Sequence, residues 1–214
     1  MLLCYITDRT QFPGDENRRR RALLAKIAEA ARCGVDLIQL REKDLPAREL
    51  ERLAFAALHK IHALRTENQK TATRLLINSR TDVAIACGAD GAHLRSDDIS
   101  PSQVRKIWAQ ATQSSHATIS VSCHSSPEVA QASSQGADFA IFAPVFEKNN
   151  APQVSLAGLD GLREACRHKI PVFALGGITL KNAHACHEAG ATGIAAIRLF
   201  QENDIAAVVR HLKG

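Results

Sequence analysis

Arg32-Cys33-Gly34-Val35-Asp36 returns in kind as Ala86-Cys87-Gly88-Ala89-Asp90, Ser134-Gln135-Gly136-Ala137-Asp138 and Glu188-Ala189-Gly190-Ala191-Thr192. Each segment ends an Ala-rich amphipathic stretch at a glycine suited to the left-handed turn that closes a helix, and an apolar run follows. The glycines stand 54, 48 and 54 residues apart. A helix and a strand together need about half that interval, so the repeat marks the entry to every second strand of an alternating chain.

Reading outward from these points predicts eight short strands: Leu2–Thr7, Asp36–Leu40, Leu75–Asn78, Gly91–Leu94, Thr118–Ser122, Asp138–Ala143, Val172–Leu175 and Gly193–Ile197. Helix starts lie between them. Ser100-Pro101-Ser102-Gln103 reads as a capping box with proline in the first turn, while Ser126-Pro127-Glu128 and Thr179 to Asn182 read as simpler caps. Strands and helices alternating in this way over 214 residues predict an α/β fold, a single compact (β/α)8 TIM barrel occupying 1–214. An open doubly wound sheet would carry a Gly-rich loop after its first strand, and Ile6-Thr7-Asp8-Arg9 meets no glycine before Gly14.

Composition bounds the function. With 45% hydrophobic and 23% charged residues the chain has globular balance, and no apolar run reaches the ~18 residues that a membrane span requires. The opening MLLCYITDRT lacks a basic segment ahead of its apolar stretch and reads as a buried strand rather than a signal peptide. The 27 basic against 22 acidic residues leave +5, yet aromatics are only 4%, too few for the stacking platforms of a single-strand nucleic-acid binder. That excess suits an anionic small molecule; nucleic acid and membrane are not expected partners, and a homodimer is left open. Arg18 to Arg21 read as the solvated face of the first helix. Six scattered cysteines without a C-x-x-C pair read as small buried hydrophobes of a reducing cytoplasm. His184, Cys186 and His187 share one helix and lack the second, distant pair of ligands that zinc needs.

In a barrel the chemistry sits at the carboxyl ends of the strands. At the second strand, Gln39, Arg41 and Lys43 alternate onto one face, an amide, a guanidinium and an ammonium that suit a phosphate or diphosphate. Surface ion pairs of Arg41 and Lys43 with Glu42 and Asp44 are the structural alternative. Asn78 ends the third strand, and Asp97 or Asp98 after the fourth offers a carboxylate to magnesium. Ser122-Cys123-His124-Ser125 ends the fifth, where His124 is a candidate general acid/base. Gly176-Gly177 after the seventh strand and Ile197-Arg198 after the eighth occupy the usual phosphate-holding loops of a barrel. The 146–155 stretch reads as a loop over the mouth.

Taken in order along nearly the whole chain, Gln39-Leu40-Arg41-Glu42-Lys43-Asp44, Leu76-Ile77-Asn78, Gly88-Ala89-Asp90-Gly91-Ala92-His93-Leu94, Ser122-Cys123-His124-Ser125, Pro144-Val145-Phe146 and Ala174-Leu175-Gly176-Gly177-Ile178 resemble the thiamine phosphate synthase and thiazole tautomerase (TenI-like) superfamily. The resemblance implies a transferase of thiamine biosynthesis that couples hydroxymethylpyrimidine diphosphate to thiazole phosphate with release of diphosphate. It implies that Gln39, Arg41, Lys43 and Asn78 contact the diphosphate-bearing substrate, with Arg41 and Lys43 also acting in catalysis. It further assigns Asp98 to Mg2+ and Gly177 with the loop around Ile197 and Arg198 to the thiazole phosphate, while Gly176, Ser122 and Lys148 are candidate substrate contacts beside them. The sequence departs from the synthases at three points: Ser79 stands for a second metal-binding Asp, Phe146-Glu147-Lys148-Asn149-Asn150 for Pro-Thr-x-Thr-Lys, and Arg198 for a serine. Two alternatives stay open. One is a TenI-like thiazole phosphate tautomerase, which needs no metal or cofactor and moves a proton through His124; the other is a non-catalytic thiazole phosphate-binding relative.

Overall fold

The structure, a computed structural model, describes residues 1–64, 73–114, 116–146 and 157–214. Its elements follow the chain as β1 Leu2–Ile6, α1 Glu16–Arg32, β2 Leu37–Leu40, α2 Ala47–His62, β3 Arg74–Asn78, α3 Thr81–Cys87, β4 Gly91–Leu94, α4 Pro101–Thr112 and β5 Thr118–Cys123. Then come α5 Ser126–Ser134, β6 Phe139–Phe142, α6 Gly158–Ala165, β7 Val172–Leu175, α7 Ala183–Glu188, β8 Gly193–Ala196, α8 Arg198–Gln201 and α9 Ile205–Lys213. The strands are parallel, pair in sequence order, and close where β1 meets β8, giving a (β/α)8 TIM barrel. Every strand boundary falls within one residue of the sequence reading.

The repeat that announces the fold also builds it. Gly34, Gly88, Gly136 and Gly190 have φ of 81°, 69°, 78° and 101°, a region that costs a side chain energy and glycine little. In three of the four repeats an aspartate follows and accepts a backbone N–H from the preceding strand: Asp36 from Leu3, Asp90 from Leu75 and Asp138 from Ile119, at 2.8, 2.8 and 2.7 Å. These carboxylates satisfy donors at the strand starts that the parallel ladder leaves over. Thr192, in the fourth repeat, has no carboxylate to do so.

Helix starts are set by local side chains. Ser100 and Gln103 form the capping box, with Pro101 in the first turn. The cap of α5 is Ser125 rather than Ser126, because the extended backbone of Ser125 aims its hydroxyl at the Glu128 N–H. Before α7 the expected direction is reversed, with Asn182 Oδ1 accepting from the Thr179 N–H at 2.7 Å. The arginine block is only partly solvated: Arg20 pairs with Glu16 and Glu49, Arg19 donates to the Phe12 carbonyl, and Arg18 and Arg21 are exposed. Among the described residues, no helix is long and apolar enough to cross a membrane.

Strand alternation splits the buried side chains into two sets. Leu3, Tyr5, Ile38, Leu40, Leu75 and Ile77 point outward beneath the helices, while Cys4, Ile6, Leu37, Leu76, Ile141 and Phe173 point inward. Toward the carboxyl ends the inward positions turn polar. Asn78, His93 and Ser120 are register neighbours on β3, β4 and β5. His93 is only 3% exposed, and its ring nitrogens Nδ1 and Nε2 lie 2.8 Å from Ser120 Oγ and 2.8 Å from Ser122 Oγ. Burial, helped by the positive charge of Arg41, pushes the His93 imidazole down from 6.5 to about 4, with Asp98 opposing.

Two outcomes follow for stability. Asp138→Ala strands the Ile119 N–H and should lower the unfolding free energy by about 1–3 kcal/mol, read from urea unfolding. For His93, the folded value lies below the unfolded one, so the unfolded chain takes up the proton first as pH falls. Its contribution is complete above pH 6.5 and declines toward pH 4, by about 3 kcal/mol across that window. Urea titrations at pH 7 and pH 4.5 on the parent and on His93→Gln should show this loss in the parent alone.

Candidate active site

The mouth is assembled from strand ends that lie far apart in sequence. Gln39, on β2, is buried and donates its Nε2–H to Asn78 Oδ1 on β3 at 2.8 Å; Asn78 in turn donates to Ser79 Oγ at 3.2 Å. Gln39 Oε1 is buried and has no hydrogen-bond partner among the described residues. An orphaned acceptor of this kind is costly in an empty protein and is satisfied when a ligand brings a donor. The polar residues Gln39, Asn78, His93 and Ser122 therefore form a hydrogen-bonding floor beneath the strand ends.

Beyond β2 the chain turns, and the alternation expected through Lys43 stops at Leu40. Arg41 is half-buried and Lys43 is exposed, so the expected trio is spread over depth: an amide in the floor, a guanidinium at the rim and an ammonium further out. Among the described residues, Arg41 makes no ion pair with Glu42 or Asp44. Arg9, 3% exposed, takes both acids: Nη1 lies 3.1 Å from Glu42 Oε2, and Nη1 and Nη2 lie 2.6 and 2.7 Å from the two Asp44 oxygens. Its Nε adds Glu16 at 2.8 Å. The Thr7 hydroxyl donates to Glu42 Oε1 and accepts the Arg41 backbone N–H, tying the same loop to β1. The Arg9 guanidinium holds the Asp44 and Glu16 carboxyls below their ordinary values, and Asp44 more than any other partner holds Arg9 above its own.

This arrangement leaves a cation at the rim. Among the described residues, the Arg41 guanidinium makes no hydrogen bond or ion pair, because the nearby acids are committed to Arg9. Sequence reasoning missed Arg9, Thr7 and Glu42 as its keepers. Their signal lay in the Thr7-Asp8-Arg9 end of the first strand, which read only as a loop without glycine.

The remaining candidates divide. His124 is exposed at the end of β5, with Nδ1 2.8 Å from the Ala143 carbonyl at the end of β6. A carbonyl only accepts, so Nδ1 carries the proton and Nε2 is the basic nitrogen of the neutral ring. Gly176 and Gly177 have φ of 104° and 62°, and a Cβ on Gly176 would come within 2.9 Å of Pro144 Cα, so this turn needs glycine on both counts. Asn182 Nδ2 donates to the Gly177 carbonyl and braces the loop. Ile197 precedes α8, and Arg198 is exposed at its start. Lys148 and the rest of 147–155 lie outside the described residues.

The metal reading meets a sparse donor set. Arg95 holds both Asp98 oxygens, through its backbone N–H at 2.8 Å and its guanidinium at 3.2 Å. Asp97 is exposed and also beside Arg95, and the third-strand position that would add a carboxylate is Ser79, at φ 56°. Among the described residues, no three His, Cys, Asp or Glu side chains gather to hold an ion. Magnesium commonly takes one carboxylate and completes its shell with water and substrate phosphate, a role for which Asp98, partly buried beside Arg95, offers a single carboxylate.

Residues 3–200 match the family model described as thiamine monophosphate synthase. A relative from Geobacter sulfurreducens is 41% identical over 197 residues, 91% of this chain and 84% of that one. A thiamine-phosphate synthase from Syntrophomonas wolfei is 35% identical over 216 residues, covering 99% of this chain and 94% of its own. Among solved structures, the thiamine phosphate pyrophosphorylase from Pyrococcus furiosus superposes with a TM-score of 0.77 at 27% identity, over 99% of this chain and 93% of that one. A family model that spans nearly the whole barrel, joined to this identity over its full length, means that the chain belongs to the thiamine monophosphate synthase family.

Proposed function

We propose that the chain, acting as one barrel domain over 1–214, is a thiamine-phosphate synthase that joins hydroxymethylpyrimidine diphosphate to thiazole phosphate. The carbon–oxygen bond to diphosphate breaks with its electron pair leaving on diphosphate, and the thiazole nitrogen supplies the pair for the new carbon–nitrogen bond. The observation that carries this reading is the Arg41 guanidinium, at a strand end and without a hydrogen-bond or ion-pair partner among the described residues, Glu42 and Asp44 being held by Arg9. A cation at the rim above a buried amide floor is preorganised for charge that grows on a leaving diphosphate.

In this reading Arg41, Lys43 and Lys148 take the diphosphate, and Gln39, Asn78 and Ser122 receive the body of that substrate. Gly176, Gly177, Ile197 and Arg198 hold the thiazole phosphate, the glycines through backbone N–H groups and Arg198 through charge. Asp98 would hold magnesium through its one carboxylate, and the ion when bound offsets diphosphate charge. Six cysteines without disulfides support a reducing, cytoplasmic setting.

A second reading has an observation of its own. The bond from His124 Nδ1 to the Ala143 carbonyl leaves Nε2 basic at the mouth, which suits a metal-independent proton transfer on a thiazole carboxylate phosphate.

The two readings separate in one purified sample. With both substrates and Mg2+, liquid chromatography should detect thiamine phosphate in step with released diphosphate, and a chelator should suppress it. No thiamine phosphate, with chelator-resistant isomerisation abolished by His124→Ala, would instead select the tautomerase; binding without either turnover would select a non-catalytic relative. Arg41→Ala should lower kcat/KM roughly 10- to 150-fold, the worth of a charged hydrogen bond, with little change in melting temperature because the guanidinium has no partner to strand among the described residues.

A further inference from the structure

The barrel interior holds a titratable imidazole that the reaction above leaves unused. His93 lies beneath the mouth between two hydroxyls, 2.8 Å from each, and they differ in one respect. Ser120 is fully buried, and its Oγ has His93 Nδ1 as its hydrogen-bond partner among the described residues. Ser122, one inward position nearer the mouth on the same strand, is half-buried.

Proton bookkeeping then fixes the ring. A buried hydroxyl that accepts from Nδ1–H would leave its own proton without an acceptor, at the full cost of a stranded donor. The Ser120 O–H therefore donates to Nδ1, which must be unprotonated. A neutral imidazole carries its one proton on the other nitrogen, so Nε2–H donates to Ser122 Oγ. With its oxygen receiving that bond from below, Ser122 has its own O–H free to turn toward the mouth. The low His93 value agrees, since a ring neutral from pH 5 upward keeps this single arrangement throughout the working range.

We propose that His93 is a positioning residue for the reaction: through Nε2–H it fixes Ser122 as a hydrogen-bond donor to an acceptor on the bound pyrimidine diphosphate. This rests on the synthase reading for its substrate, while the proton arrangement stands without it.

Two measurements test it. In full-length protein labelled with 15N-histidine, the His93 nitrogens should report the Nε2–H tautomer between pH 5 and 8 without substrate; a dominant Nδ1–H tautomer would overturn the proposal whatever the enzyme's activity. The second is a double-mutant cycle between His93→Leu and Ser122→Ala, read in kcat, KM and the Kd of hydroxymethylpyrimidine diphosphate. His93→Leu should lower the affected constants roughly 10- to 50-fold, as losing an oriented hydrogen bond does, yet less than about 2-fold when Ser122 is already alanine. His93→Gln, which returns an N–H near the Nε2 position, should recover to within about 5-fold of the parent. Equal losses from His93→Leu in both backgrounds would make His93 merely structural and overturn the proposal.

Should His93→Leu fail to fold, Ser120→Ala removes the lock on Nδ1 with a much smaller change. It should let the Nδ1–H tautomer appear and weaken turnover or binding together; a tautomer shift with both unchanged would overturn the proposal. A parent protein without turnover would sink the synthase reading, and the cycle in Kd and the tautomer would still decide this one.

Discussion

Each even-numbered strand enters the barrel through a left-handed glycine, and in three of four cases through an aspartate that takes a backbone N–H from the strand before it. Everything at the mouth depends on that pairing. In a strand, a slip of one residue exchanges the inward and outward faces, so a fixed start dictates which side chains look into the barrel. Asp90 and Asp138 set β4 and β6 against β3 and β5, and so hold Asn78, His93 and Ser120 side by side. The staples at the amino ends are thus the reason a polar floor exists near the carboxyl ends.

Above that floor, electrostatics are decided by an exchange of partners. The Gln39–Asp44 stretch carries two cations and two anions in alternation, and a locally paired loop would present no net charge. Arg9 prevents this by drawing Glu42 and Asp44 to the β1 side. Because Glu42 is also bonded to the Thr7 hydroxyl and the Arg9 backbone, it is hydrogen-bonded on both oxygens, which is what a buried carboxylate requires. The +5 of the chain matters at this point less as a total than as one guanidinium that, among the described residues, has no acid paired to it.

The fold was legible because its signals are local. Gly34, Gly88, Gly136 and Gly190 close helices whatever surrounds them, and the Ser100–Gln103 box needs only four residues. The neighbours of the site were less so. That Glu42 and Asp44 would choose Arg9 over Arg41 depends on β1 and β2 being adjacent and on Arg9 being buried, neither of which any spacing in the sequence expresses. His93 likewise read as one letter in an apolar strand, since its two serine partners are 27 and 29 residues away. The Ser125 cap was missed by one position because Ser125 and Ser126 offer the same hydroxyl, and only the extended backbone at Ser125 distinguishes them.

For the proposed reaction, the decisive arrangement is Arg9 holding the loop acids away from Arg41, which leaves that guanidinium for a diphosphate. In a crystal structure of the chain with inorganic diphosphate, the Arg41 guanidinium should lie on a diphosphate oxygen while Glu42 and Asp44 remain on Arg9. Arg41 paired with Glu42 or Asp44, or diphosphate bound away from the β2 strand end, would contradict it.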